Sequence, residues 1–312
     1  MTRAARLFLA ILVSLLASTA AHAQLFRTYV ASDGSDANPC TLPQPCRLLP
    51  AAIAAVASGG EIWILDSANY NTATVNVTKS VSIVAVPGQI ASLVAIAGAP
   101  AVSIATAGVV VSFRNVVFTK IVTNPGTYGL SITNATRVTI DDCLFANLDA
   151  PGIMAQGTTA AINVSGSLFR DIAAYAITVQ NGPIMMLANS RLHGNGAGVR
   201  VISGAVSSFT VVNVTDSSIS GGTFGVSVSS DVASVSAFAV ITRSTIFGMS
   251  NGVSAVTTAG NAFITLSNNT IALNGQGFVQ SGAGAQVKAY GNNYLNDNIG
   301  GESGTLTTAP LR

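Results

Sequence analysis

Charged and chemically versatile side chains are scarce in this chain of 312 residues. Charged residues make up 8%, none occurs between Ser80 and Phe113, tryptophan occurs once and histidine twice. There is no phosphate-binding loop, dinucleotide fingerprint or nucleophile elbow, which argues against the enzyme classes built on those motifs. So few histidines and cysteines also leave little material for a metal site, and none is predicted.

The first 23 residues have the pattern of a secretory signal peptide. Arg3 and Arg6 precede the uncharged run Leu7–Ala20, and Ala21-His22-Ala23 supplies a small-residue cleavage site. The alternative, an uncleaved anchor, is disfavoured because the run is short for a membrane span. We therefore expect residues 1–23 to be removed and the protein to be secreted or periplasmic, with no membrane span after cleavage.

Cleavage would also remove the apparent basic character of the chain. The full sequence has 14 basic and 12 acidic residues, and the loss of Arg3 and Arg6 leaves 12 of each. A neutral chain without a basic stripe has no electrostatic surface suited to nucleic acid. Nucleic acid is therefore not an expected partner, and the sequence leaves the oligomeric state open.

A six-residue unit recurs eight times between Phe113 and Tyr294. Each unit opens with an apolar residue, continues with four mostly small or polar residues and closes with another apolar residue. The closing residues are spaced by 23–27 positions and are Phe118, Phe145, Phe169, Leu192, Ile219, Ile246, Ile271 and Tyr294. A regular period of this length indicates a solenoid. Short Val-, Ile-, Thr- and Ser-rich runs between Gly, Asn and Ser turns favour three strands per repeat, without a helix.

The repeat therefore predicts an all-β fold, a single-stranded parallel β-helix of about ten coils over residues 67–312. The fourth position of the unit strengthens this prediction, because like residues stack in successive coils about 4.8 Å apart. It holds Val116, Cys143, Ser167, Ser190, Ser217, Ser244, Asn269 and Asn292. We expect these side chains to form an inward ladder at a bend, beside the core column of closing residues.

Residues 24–66 differ from the repeat and are expected to form an N-terminal cap with the first strand. Leu48–Ala57 is the one convincing helix, with Pro50 in its first turn and Gly59-Gly60 ending it. Glu61–Leu65 is expected to be the first strand. A cap is needed here because an open solenoid end exposes core residues and unpaired strand edges.

The start of the chain resembles a known family. Tyr29-Val30, Gly34 and Asp36 are followed by Pro39-Cys40-Thr41, Pro45-Cys46, an Ala-rich helix and Gly59-Gly60-Glu61-Ile62, and later by Thr78-Lys79-Ser80-Val81. This order is similar to that of secreted bacterial right-handed parallel β-helix proteins of the pectin-lyase-like superfamily. The resemblance implies right-handed winding. It does not specify an activity, because the superfamily holds lyases, hydrolases, esterases, tailspikes and adhesins.

The cysteines suit an exported protein. Cys40 and Cys46 flank the short loop TLPQP, and we expect a disulfide between them; two reduced thiols are the alternative. Cys143 lies in the ladder column without a partner, so we interpret it as a buried small residue rather than a reactive thiol.

Most of the charge in the repeats lies within residues 114–200. The charged residues and histidine there are Arg114, Lys120, Arg137, Asp141, Asp142, Asp149, Arg170, Asp171, Arg191, His193 and Arg200. Aligning the units places Arg114 beside Asp141, Arg170 beside His193, and Asp216 beside Arg243 in later coils. Surface ion pairs of this kind contribute little to stability.

The resemblance implies two possible chemistries for this zone. Lyases of the superfamily bind Ca²⁺ with clustered carboxylates and use Arg or Lys as a base, whereas its hydrolases use clustered Asp residues. The candidates here are Asp142, Asp171 and Arg170 for catalysis, and Arg191 and His193 for glycan binding. The Asn-Thr-Asp and Gly-His-Gly motifs of the hydrolases are missing, and Asp141-Asp142 matches only a dipeptide that also suits a turn.

Two functions follow. The favoured one is an exported non-catalytic scaffold that presents a Ser/Thr/Asn-rich face to a polysaccharide or cell-surface glycan, with no cofactor. The alternative is a polysaccharide lyase or hydrolase that acts on an acidic glycan through a charged groove in residues 114–200, with Ca²⁺ as a cofactor if it is a lyase.

Overall fold

The computed structural model describes residues 24–121, 123, 125–157, 159–204 and 209–310. The predicted signal peptide, residues 1–23, lies outside this described part of the chain. Among the described residues, no helix is both long and apolar enough to cross a bilayer.

The chain winds as a parallel β-helix with three faces. Face 1 comprises β1 (Leu25–Val30), β2 (Val56–Ile64), β5 (Val81–Ala85), β8 (Val110–Arg114), β11 (Arg137–Asp141), β14 (Ala161–Ser165), β17 (Ile184–Ala188), β20 (Phe209–Thr215), β22 (Ser236–Thr242), β24 (Asn261–Ser267), β27 (Ala285–Tyr290) and β28 (Leu306–Ala309). Every strand of face 1 is parallel to its neighbours.

Faces 2 and 3 share two long strands, β21 (Ser218–Ser230) and β23 (Thr245–Thr257), which turn the corner between them. The other strands of face 2 are β3 (Ala68–Asn69), β6 (Ala91–Ala95), β9 (Val116–Lys120), β12 (Leu144–Ala146), β15 (Leu168–Arg170), β18 (Arg191–His193) and β25 (Thr270–Ala272). Those of face 3 are β4 (Val75–Asn76), β7 (Val102–Ala105), β10 (Leu130–Asn134), β13 (Ile153–Gln156), β16 (Tyr175–Gln180), β19 (Ala197–Ser203) and β26 (Gln276–Ser281). Nine strands on each of these faces, within the described residues, correspond to about nine turns rather than ten.

The two apolar positions of the repeat unit face the core, as predicted. Phe113, Ile140 and Val164 each lie one residue before the end of a face 1 strand and are 0–1% exposed. Phe118, Phe145 and Phe169 lie in register on face 2, and their rings stack with centroids 4.4 and 4.7 Å apart. The unit therefore spans the bend between face 1 and face 2, and each end of it contributes a buried column.

The predicted inward ladder at this bend is present. Each serine hydroxyl accepts a hydrogen bond from the backbone N–H of the previous coil and donates one to the carbonyl two residues before it. Ser190 Oγ, for example, lies 3.2 Å from Ser167 N and 2.8 Å from Ala188 O. Ser167, Ser190, Ser217 and Ser244 are all 1–5% exposed. Cys143 fills the same slot, with its Sγ donating to Asp141 O at 3.3 Å.

The alignment of the last coil is wrong by one residue. Asn269 N donates to Asn293 Oδ1 at 3.0 Å, so Asn293 and not Asn292 continues the ladder. Tyr294 forms a bridge with Thr270 rather than Ile271 and is 46% exposed, so it does not belong to the core column. Ala289 still pairs with Leu266, which means that this final bend contains one extra residue.

The cap is built as expected in outline, with two corrections. Helix α1 (Leu49–Ala55) is shorter than predicted, because Val56 is extended and begins β2 before the glycine pair. The first strand of face 1 is β1, which pairs with β2, so the predicted strand Glu61–Leu65 corresponds to the end of the second strand, which stops at Ile64. Asp36 Oδ1 accepts the N–H groups of Arg47 and Leu48 at 2.9 and 2.7 Å, just before the helix. Cys40 and Cys46 form a disulfide beside it.

Candidate functional site

The third position of the repeat unit has a left-handed backbone conformation in seven of the eight units. Its φ angles lie between 46° and 58°, and the residues are Asn115, Asp142, Gly166, Asn189, Asp216, Arg243 and Asn268. Asn, Asp and Gly tolerate this conformation best, so the tight turn between faces 1 and 2 explains most of these residues. Asp142, a predicted catalytic residue, therefore has a structural reason to be at this position.

Asp171 occupies a second left-handed position, at the bend between faces 2 and 3, with φ 57°. Asn147 lies one coil before it, and its N–H donates to Arg170 O at 3.3 Å. Asp142 and Asn147 are five positions apart on either side of the three-residue strand β12, so Asp142 and Asp171 lie at opposite edges of face 2, with Cα atoms roughly 16 Å apart. Carboxylates that act as a glycosidase pair are about 5–9.5 Å apart. The structure does not bring these two candidates together.

Arg114 forms an ion pair with Asp142, whereas the alignment of the repeat units placed Arg114 beside Asp141. Arg114 is in register with Asp141, as predicted, but its Nε lies 3.7 Å from Asp142 Oδ2. Asp141 instead accepts a hydrogen bond from Ser165 Oγ at 2.6 Å. The predicted Arg114–Asp141 ion pair is therefore wrong, because the left-handed turn swings the Asp142 carboxylate towards Arg114.

The other predicted ion pair is confirmed. Arg243 contacts both carboxylate oxygens of Asp216, with Nε and Nη2 each at 2.8 Å. These hydrogen bonds hold the pKa of Asp216 below its ordinary value and raise the pKa of Arg243. Since both side chains are exposed to solvent, the pair contributes little to stability.

Four of the five predicted site residues do lie close to one another on the outside of face 2. Arg170 forms an ion pair with Asp171 and is in register with His193 one coil later. Arg191 lies two residues before His193 on the same strand, and both are exposed. The cluster Arg170, Asp171, Arg191 and His193, here the face 2 cluster, could contact an anionic sugar.

A second group of side chains was not recognised in the sequence. Tyr175 and Phe224 have nearly parallel rings, 10° apart in orientation, with centroids separated by 6.5 Å. The guanidinium carbon of Arg200 lies 5.4 Å from the centre of the Tyr175 ring. Small Ala197, in register with Tyr175, occupies the intervening coil. We call Tyr175, Arg200 and Phe224 the aromatic cluster; it borders face 3, across the bend 171–174 from the face 2 cluster.

The aromatic cluster flanks a sheet in which several outward side chains are buried. One outward column of face 3 consists of Ser103, Ser131, Met154, Thr178, Arg200, Ser227 and Ser254. Although they point away from the core, Met154, Thr178 and Ser254 are only 9%, 4% and 2% exposed. Neighbouring side chains therefore cover these three positions, and five of the seven residues in the column carry hydroxyl groups. We call the surface along this column the groove over face 3.

The described residues do not fit a Ca²⁺ site of the type that the family resemblance implies. No group of three or more His, Cys, Asp or Glu side chains among them is arranged to hold a metal ion. Ca²⁺ takes six to eight oxygen ligands, several of them usually carboxylates. Asp142 with Arg114, and Asp171 with Arg170, are instead each engaged with a cation.

Comparison with known proteins identifies the class to which this architecture belongs. The family model described as right handed beta helix region matches residues 100–294. The chain therefore belongs to this family, which confirms the right-handed β-helix and agrees with the resemblance to the pectin-lyase-like superfamily. No curated protein sequence gives a match.

Two solved structures are similar over most of their length. A pectate lyase has a TM-score of 0.64 and 16% identity, covering 90% of this chain and 79% of that one. XylC in complex with xylose also has a TM-score of 0.64, with 8% identity, covering 86% of this chain and 70% of that one. At such low identity these similarities establish the fold and leave the function to be argued from the site.

Proposed function

We propose that this chain is an exported, non-catalytic β-helix that binds a polysaccharide or cell-surface glycan in the groove over face 3. The aromatic cluster beside this hydroxyl-rich column is the observation that carries this proposal. A hydroxyl-rich face is what the sequence led us to expect of such a scaffold, and the aromatic cluster adds a wall that the sequence did not reveal.

The groups in this groove have the chemistry that glycan binding requires. Hydroxyls such as those of Ser131 and Ser227 can both donate and accept hydrogen bonds with sugar hydroxyls. The Tyr175 ring offers a flat apolar surface to the C–H face of a sugar, while its phenol group can bind water or ligand. Arg200 supplies a fixed positive charge with the fork geometry that suits a carboxylate, so acidic glycans should bind best.

A binding assay with matched variants tests the proposal. Titration calorimetry of the mature protein with soluble acidic and neutral polysaccharides should reveal a ligand, and Tyr175→Ala should weaken its binding about tenfold, as expected for a lost contact of about 1.4 kcal/mol. Tyr290→Ala is the control, because Tyr290 has a comparable cationic neighbour, Lys288 at 5.5 Å, on another face. Equal effects of the two substitutions, or no binding to any glycan, would contradict the proposal that a glycan binds in this groove.

Polysaccharide cleavage is the second candidate, and the face 2 cluster favours it. Arg170, Asp171 and His193 lie on adjacent coils, where a base and an acid could reach one substrate. In this case Asp142 would be dispensable, because it lies at the other edge of face 2. Loss of product formation in Asp171→Asn but not in Asp142→Asn would support this second function.

A further inference from the structure

Face 1 carries an exposed apolar surface that the proposed glycan groove does not use. Outward side chains of β17, β20, β22 and β24 form it, and we call it the apolar patch. Its members are Ile184, Met186, Phe209, Val211, Phe238 and Phe263. Ile184, Met186 and Phe209 are 49%, 47% and 54% exposed. Large apolar groups gathered on one surface mark an interaction site more often than isolated ones do.

The patch is not a general property of face 1. In the earlier coils of the same face, the column that leads to Ile184, Val211, Phe238 and Phe263 holds Val110, Arg137 and Ala161, none of which is aromatic. The backbone register is unbroken across this change, so coil geometry does not require apolar residues here. This column becomes continuously apolar, with large side chains, only from Ile184 onward, which indicates that these coils have a different neighbour.

Ring geometry argues that this neighbour is a protein surface. Phe238 lies 5.0 Å from both Phe209 and Phe263, measured between ring centroids, and is only 25° from parallel with Phe263. The rings of Phe238 and Phe263 cover part of each other's faces. A sugar that stacks on an aromatic residue needs an open ring face, whereas an apolar sheet can pack against ring edges.

We propose that the apolar patch is the interface of a reversible dimer, formed with the same patch of a second copy of this chain. The four strands contain no charged residue, so two copies related by a twofold axis would not repel each other. Four strands about 4.8 Å apart and up to seven residues long give roughly 450 Å² on each copy. The total, roughly 900 Å², is in the range of weak and transient interfaces.

In this dimer the two copies of face 1 pack face to face, as the sheets of a β-sandwich do. The groove over face 3 stays open because it lies on another face of the same coils. Each dimer would therefore present two glycan sites, although the dimer itself does not depend on glycan binding.

Sedimentation velocity of the mature protein across a hundredfold concentration range tests the proposal. The wild type should shift from monomer to dimer, and Ile184→Lys or Phe209→Lys should weaken association at least tenfold, because like charges would meet across the twofold axis. Phe247→Lys is the control, since Phe247 is 41% exposed on face 2. Circular dichroism should show the same β-sheet content in all four proteins, since each substituted side chain already reaches solvent.

Two results would contradict the proposed dimer. One is a wild type that remains monomeric at the highest concentration. The other is a dimer that the Ile184 and Phe209 substitutions leave intact or that Phe247→Lys disrupts equally.

Discussion

Single side chains in the first bend each satisfy two buried backbone groups. In the ladder, Ser190 accepts from Ser167 N–H and donates to Ala188 O, and the same pattern continues from coil to coil. Buried backbone groups without partners are costly, so a hydroxyl of this size is well suited to the slot. Asparagine serves the same purpose at Asn269, where its amide also donates to Ile241 O at 2.7 Å.

Replacing Ser190 with alanine should therefore destabilise the protein. The substitution leaves the Ser167 N–H buried without an acceptor, which should lower the free energy of unfolding by about 1–3 kcal/mol. Equilibrium denaturation measures this change, with Ser218→Ala as the control because Ser218 points outward on face 2. A loss no greater than that of the control would contradict the ladder.

Cys143 should be chemically inert in the folded protein. It is 2% exposed, and burial raises the pKa of its thiol to about 12. At pH 8 only about one molecule in ten thousand would carry the reactive thiolate. A maleimide reagent should leave the native protein unlabelled and modify one thiol per chain once it is unfolded without reductant. Rapid labelling under native conditions would show that Cys143 is not buried in the ladder.

The residue scale is also where sequence reasoning was most and least successful. The ladder could be predicted because small or polar residues recur at a fixed place in seven of the eight units, four of them serine. The aromatic cluster could not, because Tyr175 and Phe224 are two coils apart and Ala197 interrupts the pattern between them. A second set of inward amides, Asn195, Asn274 and Asn298, was missed for the same reason. A ladder can be recognised from the sequence because its residues recur at one position of the repeat. A cluster that occurs once can be recognised only in the folded structure.

At the scale of elements, the bends decide where polar residues are placed. The turn from face 1 to face 2 contains one left-handed residue in seven of the eight units, and at Asp142 the next coil also leaves room for the side chain. Gly166 provides that room for Asp142: a Cβ on Gly166 would lie 2.4 Å from Asp142 Oδ1. This arrangement accounts for Asp142 without assigning it a role in chemistry.

Substitutions at Asp142 should follow backbone preference rather than charge. Asp142→Asn should keep the stability of the wild type, because asparagine tolerates the left-handed region and the ion pair with Arg114 is exposed. Asp142→Val should lower the free energy of unfolding by about 1–2 kcal/mol, because a branched side chain is disfavoured there. Urea denaturation of both variants measures the difference. An equal loss in both would mean that the carboxylate, rather than the turn, stabilises this bend.

Element boundaries were predictable where the pattern is regular and failed where a turn changes length. Helix α1 ends at Ala55 because Val56 joins the sheet, although the sequence placed the end at the glycine pair. The last bend has one extra residue, so the sequence alignment placed Asn292 and Tyr294 in the wrong columns. The distance between Asp171 and Asp142 could not be predicted either, because it depends on the length of the strand between the two bends.

The whole molecule distributes different chemistry over its three faces. Face 1 carries the apolar patch, face 2 carries the exposed Arg170, Asp171, Arg191 and His193, and face 3 has the hydroxyl-rich groove beside Tyr175. A solenoid makes this possible, because each column of outward side chains can vary without disturbing the buried columns behind it. Glycan binding and self-association can therefore occupy separate faces of one rod.

The central claim is that the protein binds a glycan without cleaving it. The most direct test measures binding and product formation on one panel of acidic and neutral polysaccharides, with and without added Ca²⁺. We predict binding that Tyr175→Ala weakens, and no new reducing ends or unsaturated products under any condition. Products that form with the wild type and are lost in Asp171→Asn would contradict this account and establish a polysaccharide-cleaving enzyme.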